Sequence, residues 1–294
     1  MISVILMAYG SPSKMGDVYE YLEGIYEGKP VPDYALRENT EKYQMVNGIS
    51  PSNAIIHNIL SGLSDSLASY GSFHVVLGNK HWKPSLESAV EEIRSDNPET
   101  IVAVPLFPFK SNNVKNSYLD PLMETIEKND IHSEIKFVNG FECSGLAEIW
   151  AKLLEKFRIN EETAVIFDAH SLPTFRGKED DYDTSFRETA RLISRAIRLK
   201  EYFVGYQSRG KYGSAWLDPS IYEILPEIRE KGYKKILTVP VGFIYEHLEI
   251  MYDLDYEFGK RIKEMGMEYT RSALLNDSTD FITLLRNQVM KETW

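Results

Sequence analysis

The chain has one cysteine in 294 residues, Cys143. That excludes an intrachain disulfide and any cluster held by several cysteines of one chain, an iron–sulfur cluster included. No apolar run approaches the ~20 residues that a membrane-spanning helix needs. Basic charge is scarce: 33 Lys and Arg against 44 Asp and Glu leave a net charge of −11. That balance argues against nucleic acid or an anionic membrane as the main partner. The phosphate-cradling loops GxGxxG and GxxxxGK[ST] are absent, so nucleotide binding by those devices is not indicated. HExxH and CxxC are absent too, which disfavours a dedicated zinc hydrolase. The opening MISVILMAYG has no basic n-region and no small-residue cleavage site, and reads as a strand. A soluble cytoplasmic protein is expected.

What is present is an alternation of short apolar runs with longer helical patterns, the signature of βα units and parallel sheets. Strands are expected near residues 3–7, 73–77, 100–104 and 134–138, and again near 164–167, 202–205, 235–239 and 268–272. Phe186, Ala190, Ile193 and Ile197 keep helical spacing, as do Leu146, Ile149, Leu153 and Phe157. The two halves also resemble each other. VILMAYGSP at 4–12 parallels VIFDAHSLP at 165–173, and IVAVPLFPF at 101–109 parallels ILTVPVGFI at 236–244, with Pro105 matching Pro240. Two matches in the same order point to duplication. The expected fold is α/β, with two similar Rossmann-like domains, parallel sheets and a central cleft. The domains fall at residues 1–140 and 141–276, and the helical pattern at 277–294 docks back on the first. In open α/β sheets ligands bind beyond the carboxyl ends of the strands, where Tyr9, His170, residues 107–111 and residues 243–249 lie.

The segment VGFIYEHLEIMYDLDYE at 241–257 carries the densest chemistry. Glu249, Asp253 and Glu257 recur at i, i+4 and i+8 and stack along one helix face, with Glu246 and His247 at its mouth. Like charges at that spacing cost a helix a few tenths of a kcal/mol per pair, so a divalent metal or a proton path gives them a reason. His170, alone among the six histidines, sits at a strand end within a tight AHSLP turn. Paired with Glu249 it forms an imidazole–carboxylate site suited to Fe²⁺ or Zn²⁺, or to general-base work. His57, His74 and His132 have no motif around them, and His81 can be satisfied by backbone at a turn.

Seven motifs in order, MAYGSP (7–12), NGISP (47–51), GNKHWKP (78–84), AHSLP (169–173), GYQS (205–208), WLDP (216–219) and VPVGFIYEHLEIMYDLDYE (239–257), resemble those of the ferrochelatases over nearly the whole chain. Those enzymes insert ferrous iron into a porphyrin. The resemblance implies a class II chelatase-like fold, with His170 and Glu249 facing the porphyrin centre for metal binding, pyrrole proton removal, or both. It implies that Asp253 and Glu257 continue away from the site, with His247 beside them, as a metal or proton route on a partly π-helical segment. Iron is then a substrate, and no permanently bound cofactor is expected. The oligomeric state stays open, with a monomer compatible.

Tyr9 resembles the tyrosine that coproporphyrin-type members place under the metal, and Lys42, Tyr43, Ser50 and Tyr118 match substrate-contact positions of that group. Coproporphyrin III is therefore the expected substrate, with protoporphyrin IX as the other choice. Hydroxyls and cations suit a ligand with four propionates. Three departures stand out. Tyr26 replaces a common arginine, Lys42 replaces another and loses its bidentate fork, and Asp218 stands where glycine permits an unusual turn. The polar stretch at 29–45 lacks an apolar lip. The rival readings are a cobalt or nickel tetrapyrrole chelatase and a non-catalytic haem or porphyrin carrier.

Overall fold

The computed structural model describes residues 1–48, 50–174, 180–210 and 215–293, so Ile49 of the NGISP motif lies outside the described residues. All eight expected strands form: β1 (Ile2–Ala8), β2 (Phe73–Asn79), β3 (Thr100–Pro105), β4 (Glu134–Phe137), β5 (Thr163–His170), β6 (Phe203–Gln207), β7 (Lys235–Val239) and β8 (Glu268–Arg271). They build two parallel four-stranded sheets of identical order, β2-β1-β3-β4 and β6-β5-β7-β8. The central strands are continuous apolar runs because helices cover both sheet faces. In β1, Val4, Leu6 and Ala8 enter one core while Ile5 and Met7 enter another.

The helices that cover the first sheet and its rim are α1 (Val18–Ile25), α2 (Asp33–Met45), α3 (Ser52–Leu67), α4 (Leu86–Arg94) and α5 (Asn112–Lys128). Ile56, Ile59, Leu63 and Leu67 form the buried stripe of α3 at helical spacing. Around the second sheet lie α6 (Cys143–Leu154), α7 (Tyr182–Ala196), α8 (Leu225–Glu230) and α9 (Gly259–Glu264), and α10 (Thr279–Thr293) closes the chain. On α6 the buried face differs from the expected one. Leu146, Ala147, Trp150 and Leu154 are buried, whereas Ile149 and Leu153 are half-buried and Phe157 lies past the helix end. The large indole of Trp150 draws the core face round by about one residue, roughly a quarter of a turn, from the aliphatic spacing.

Helix α10 packs against α3 and α6 together. Phe281 meets Phe141 edge-on at 5.7 Å, Lys152 pairs with Asp280 at 2.6 Å, and Lys291 pairs with Glu142 at 2.8 Å. Where the two sheets approach, Phe109 contacts Tyr182 and Phe186, and one apolar core runs through both halves. Asp180 ties that joint to the start of α5 by accepting the Ser111 hydroxyl at 3.1 Å and the Asn113 N–H at 2.9 Å.

In each sheet the chain order reverses beside the first strand, between β1 and β3 and between β5 and β7. Such switch points open crevices at the carboxyl ends of the strands. Two glycines let the backbone crowd there. Gly10, next to Tyr9, has φ +91°, and a Cβ on it would come within 2.5 Å of Trp82. A Cβ on Gly242 would come within 2.5 Å of Ala169, beside His170. Asp218 is not among the positive-φ residues, so that turn does not require glycine; its carboxylate pairs with Arg209 instead.

Candidate active site

His170 is the last residue of β5. Its Nδ1–H donates to the Ser171 carbonyl at 2.7 Å, and the Tyr182 hydroxyl donates to its own carbonyl at 2.9 Å. The bond at Nδ1 fixes the tautomer and leaves the Nε2 lone pair facing the cleft. From the other strand end, the loop after β7 delivers Phe243, Tyr245, His247 and Glu249. His247 repeats the device: Nδ1–H donates to the Tyr245 carbonyl at 2.9 Å.

Both free nitrogens point at one carboxylate. His170 Nε2 lies 3.5 Å and His247 Nε2 3.9 Å from Glu249 Oε2. Two imidazole lone pairs aimed at an anion leave a gap that favours a proton or a divalent cation. Burial disfavours the Glu249 charge. When a proton occupies Nε2, His170 first, then His247, then Lys42 outweigh that and bring its carboxyl down to about 2. Glu249 is therefore ionised at neutral pH while 42% of its side chain stays open to the cleft. Among the described residues, no three His, Cys, Asp and Glu side chains gather as a metal cage.

The acidic row continues from Glu249 along a π-helical segment, Ile250–Phe258. Wider helical turns of this kind recur at functional sites. Asp253 is held between Lys42, at 3.3 Å, and the Ser208 hydroxyl, which donates to it at 2.5 Å. Glu257 is exposed and faces Tyr252 and Tyr222. Glu246, expected at the mouth of the row, is instead tied to Arg271 by two hydrogen bonds of 2.9 and 3.1 Å.

Tyr9 follows β1 directly and is 42% exposed. Partial burial, then Glu249 and Glu27, push its phenol up to about 12. The Tyr245 hydroxyl bonds the backbone of Tyr9 and so bridges the two strand ends. Tyr9 thus enters the same cleft as His170 and Glu249. His81 packs against Tyr9 with the rings tilted at 60° and their centroids 4.6 Å apart, and it donates Nδ1–H to the Gly24 carbonyl at 3.1 Å, so it is satisfied by backbone.

The remaining residues named from sequence divide. Tyr118, on α5, is half-buried near Tyr9 and Tyr245. Tyr43 is only 2% exposed, packed with Val18 and Leu22, and its hydroxyl lies 3.3 Å from Ser11 Oγ. Ser50 is buried; its hydroxyl donates to Ser52 Oγ at 2.9 Å and accepts the Ser52 N–H, so it serves the start of α3. Lys42 is engaged by Asp253, with its Nζ 4.8 Å over the Tyr252 ring. Tyr26 lies half-buried beside Tyr34. His57 is exposed, His132 pairs with exposed Asp130, and His74 binds Asp96 and Glu92 at the rim. Phe243 and Tyr245 were expected only as part of residues 243–249 past a strand end, with no individual role, and Tyr182, which carried no signal, escaped the sequence reading.

Two switch-point crevices sharing a cleft, with a tautomer-locked imidazole and an ionised carboxylate inside, define a two-lobed chelatase-type protein. The fold agrees: SirB from Bacillus subtilis with Fe3+ superposes with a TM-score of 0.61 at 12% identity, over 99% of this chain and 95% of that one. The sirohydrochlorin chelatase SirB of Bacillus subtilis subspecies spizizenii in complex with cobalt gives 0.60 at 11% identity, over 99% and 94%. The model of the ferrochelatase family matches residues 1–293, and the chain belongs to that family. It is 44% identical to a ferrochelatase of Thermoplasma volcanium over 98% of this chain and 91% of that one. It is 34% identical to a coproporphyrin III ferrochelatase of Oceanobacillus iheyensis over 99% and 96%. The chain is therefore a metal chelatase of porphyrin metabolism. Among the described residues no helix is long and apolar enough to cross a membrane.

Proposed function

We propose that this ferrochelatase inserts Fe²⁺ into coproporphyrin III, with His170 and Glu249 as the core pair. The observation that carries the role of the pair is the 3.5 Å approach of His170 Nε2 to Glu249 Oε2 across the cleft. Iron must shed water, and two pyrrole N–H protons must leave as it enters the ring. A neutral imidazole and a carboxylate can ligate incoming iron and accept those protons. His247 takes the proton that Glu249 sheds, and Asp253 and Glu257 pass it towards solvent. Tyr9 approaches the other face of the macrocycle, where a bent ring exposes its nitrogen lone pairs.

Coproporphyrin III is favoured by Tyr9 at the end of β1 and by the relative in Oceanobacillus iheyensis named for that substrate. Iron enters as substrate, and the reaction needs no resident cofactor. The enzyme is a lyase of the cytoplasm. Residues 1–140 and 141–276 form its two domains, and residues 277–294 return to the first.

The test is anaerobic ferrous iron insertion, followed by absorbance, with coproporphyrin III and protoporphyrin IX offered in parallel. Preferential turnover of coproporphyrin III is expected. Preference for protoporphyrin IX would overturn the substrate, and binding without turnover of either would overturn the activity.

A further inference from the structure

A porphyrin bearing propionates needs cations along the cleft, and the two positions where the resemblance places arginine leave none free. Tyr26 carries no positive charge, and Lys42 is held 3.3 Å from Asp253. Beside Tyr9, a cavity of about 200 Å³ opens between β2, α1 and α5, lined in part by Lys80, His81, Gly24, Glu27, Ser117 and Tyr118. That is below the roughly 300 Å³ at which pockets for whole drug-sized ligands begin, so it suits a side arm rather than a macrocycle.

Among the described residues, Lys80 is the only lysine or arginine lining this cavity. It follows β2 directly. Its N–H donates to the Ala8 carbonyl at 2.9 Å, and the next N–H, of His81, donates to the Tyr9 carbonyl at 3.0 Å. Its backbone is thus pinned to the strand end that presents Tyr9. Its ammonium lies 5.6 Å from the Tyr118 ring centroid and forms no ion pair with a described carboxylate. Partial burial pulls its pKa down and Glu27 pulls it back up, the balance of a desolvated cation that gains from a close anion.

We propose that Lys80 is a substrate-specificity residue, which seats one propionate of the porphyrin in the cavity beside Tyr118 and supplies the charge that Tyr26 lacks. Ser117 lines the same cavity, but its hydroxyl is spent on the Val114 carbonyl at 2.9 Å, so Lys80 carries the charge recognition. Glu27 on the rim repels any anion that does not reach Lys80, which favours an arm of propionate length over a shorter one. The inference rests on the porphyrin-chelatase reading and deepens it.

The test compares wild type, Lys80→Met and Lys80→Arg on coproporphyrin III and on its tetramethyl ester, in one detergent. Insertion rates and binding by porphyrin fluorescence quenching are both read. Lys80→Met is expected to raise KM and Kd for the free acid by roughly ten-fold or more, with a much smaller change in kcat, since a charge-assisted hydrogen bond is worth about 1.5–3 kcal/mol. Lys80→Arg should restore most of that loss, and Lys80→Met should leave Kd for the ester as in wild type. An unchanged Kd for the free acid in Lys80→Met, or an equal loss on the ester, would overturn the proposal. Wild type that binds but inserts no iron would overturn the ferrochelatase reading instead, and the Kd ratios would still decide Lys80.

Discussion

The two sheets share one strand order and one crevice position, yet their strand ends carry different chemistry. After Ala8 in the first stands Tyr9, a phenol that stays protonated at neutral pH. After Ala169 in the second stands His170, locked in one tautomer and facing an ionised carboxylate. At the partner strands the contrast repeats. β3 leads into Phe107 and Phe109, which serve the joint between the sheets, whereas β7 leads into His247, Glu249 and the acidic π-helical segment. The two halves share a frame, and the groups proposed above for proton and metal chemistry stand at the strand ends of the second. The first offers Tyr9 and aromatic side chains, which the proposal assigns to ligand contact.

That comparison can be broken at its chemical half first. Glu249→Gln removes the charge that both imidazoles face, and kcat for iron insertion should fall by about 10²–10⁴-fold. Stopped-flow absorbance checks this, and a wild-type rate would remove Glu249 from the pair. The next effect is on stability. Trp150→Ala empties the centre of the buried face of α6 and should cost about 3–5 kcal/mol in a denaturant titration. Gly242→Ala drives a methyl group to 2.5 Å from Ala169 and should cost about 1–3 kcal/mol by overpacking. It should also lower kcat, because the shift falls beside His170. If it lost stability at an unchanged kcat, the strand end would not position the imidazole. At the other half, Tyr9→Phe deletes a hydroxyl and keeps the ring against His81. Its expected effect on kcat is smaller, roughly two- to five-fold, alongside a change in product affinity. A loss in Tyr9→Phe as large as in Glu249→Gln would mean that the halves are not specialised as described.

Much of this was legible in the residues. The central strands β1, β3, β5 and β7 show most plainly because each is a short run rich in β-branched and aliphatic residues, and the duplication shows because VILMAYGSP and VIFDAHSLP follow one pattern at the ends of β1 and β5. His170 and Glu249 were legible as chemical types at strand ends. What sequence could not show was competition for side chains. Lys42 reads as a cation for a ligand, yet Asp253, 211 positions away, takes it in the fold. Glu246 reads as a member of the acidic row, and Arg271 takes it. Tyr43 and Ser50 read as polar contacts, and packing turns one into core and the other into a helix-start bond. Each is a long-range or packing event that local spacing does not encode. The Trp150 face of α6 was missed for the same reason: aliphatic spacing ignored the largest side chain.

The central claim is that the His170 imidazole performs chemistry while the opposite wall binds. The most direct measurement is His170→Ala, with coproporphyrin III affinity read by fluorescence quenching and ferrous insertion read anaerobically on the same sample. The account predicts affinity close to wild type and insertion reduced by about 10²-fold or more. Insertion at the wild-type rate, or a loss of insertion that merely tracks a loss of binding, would contradict it.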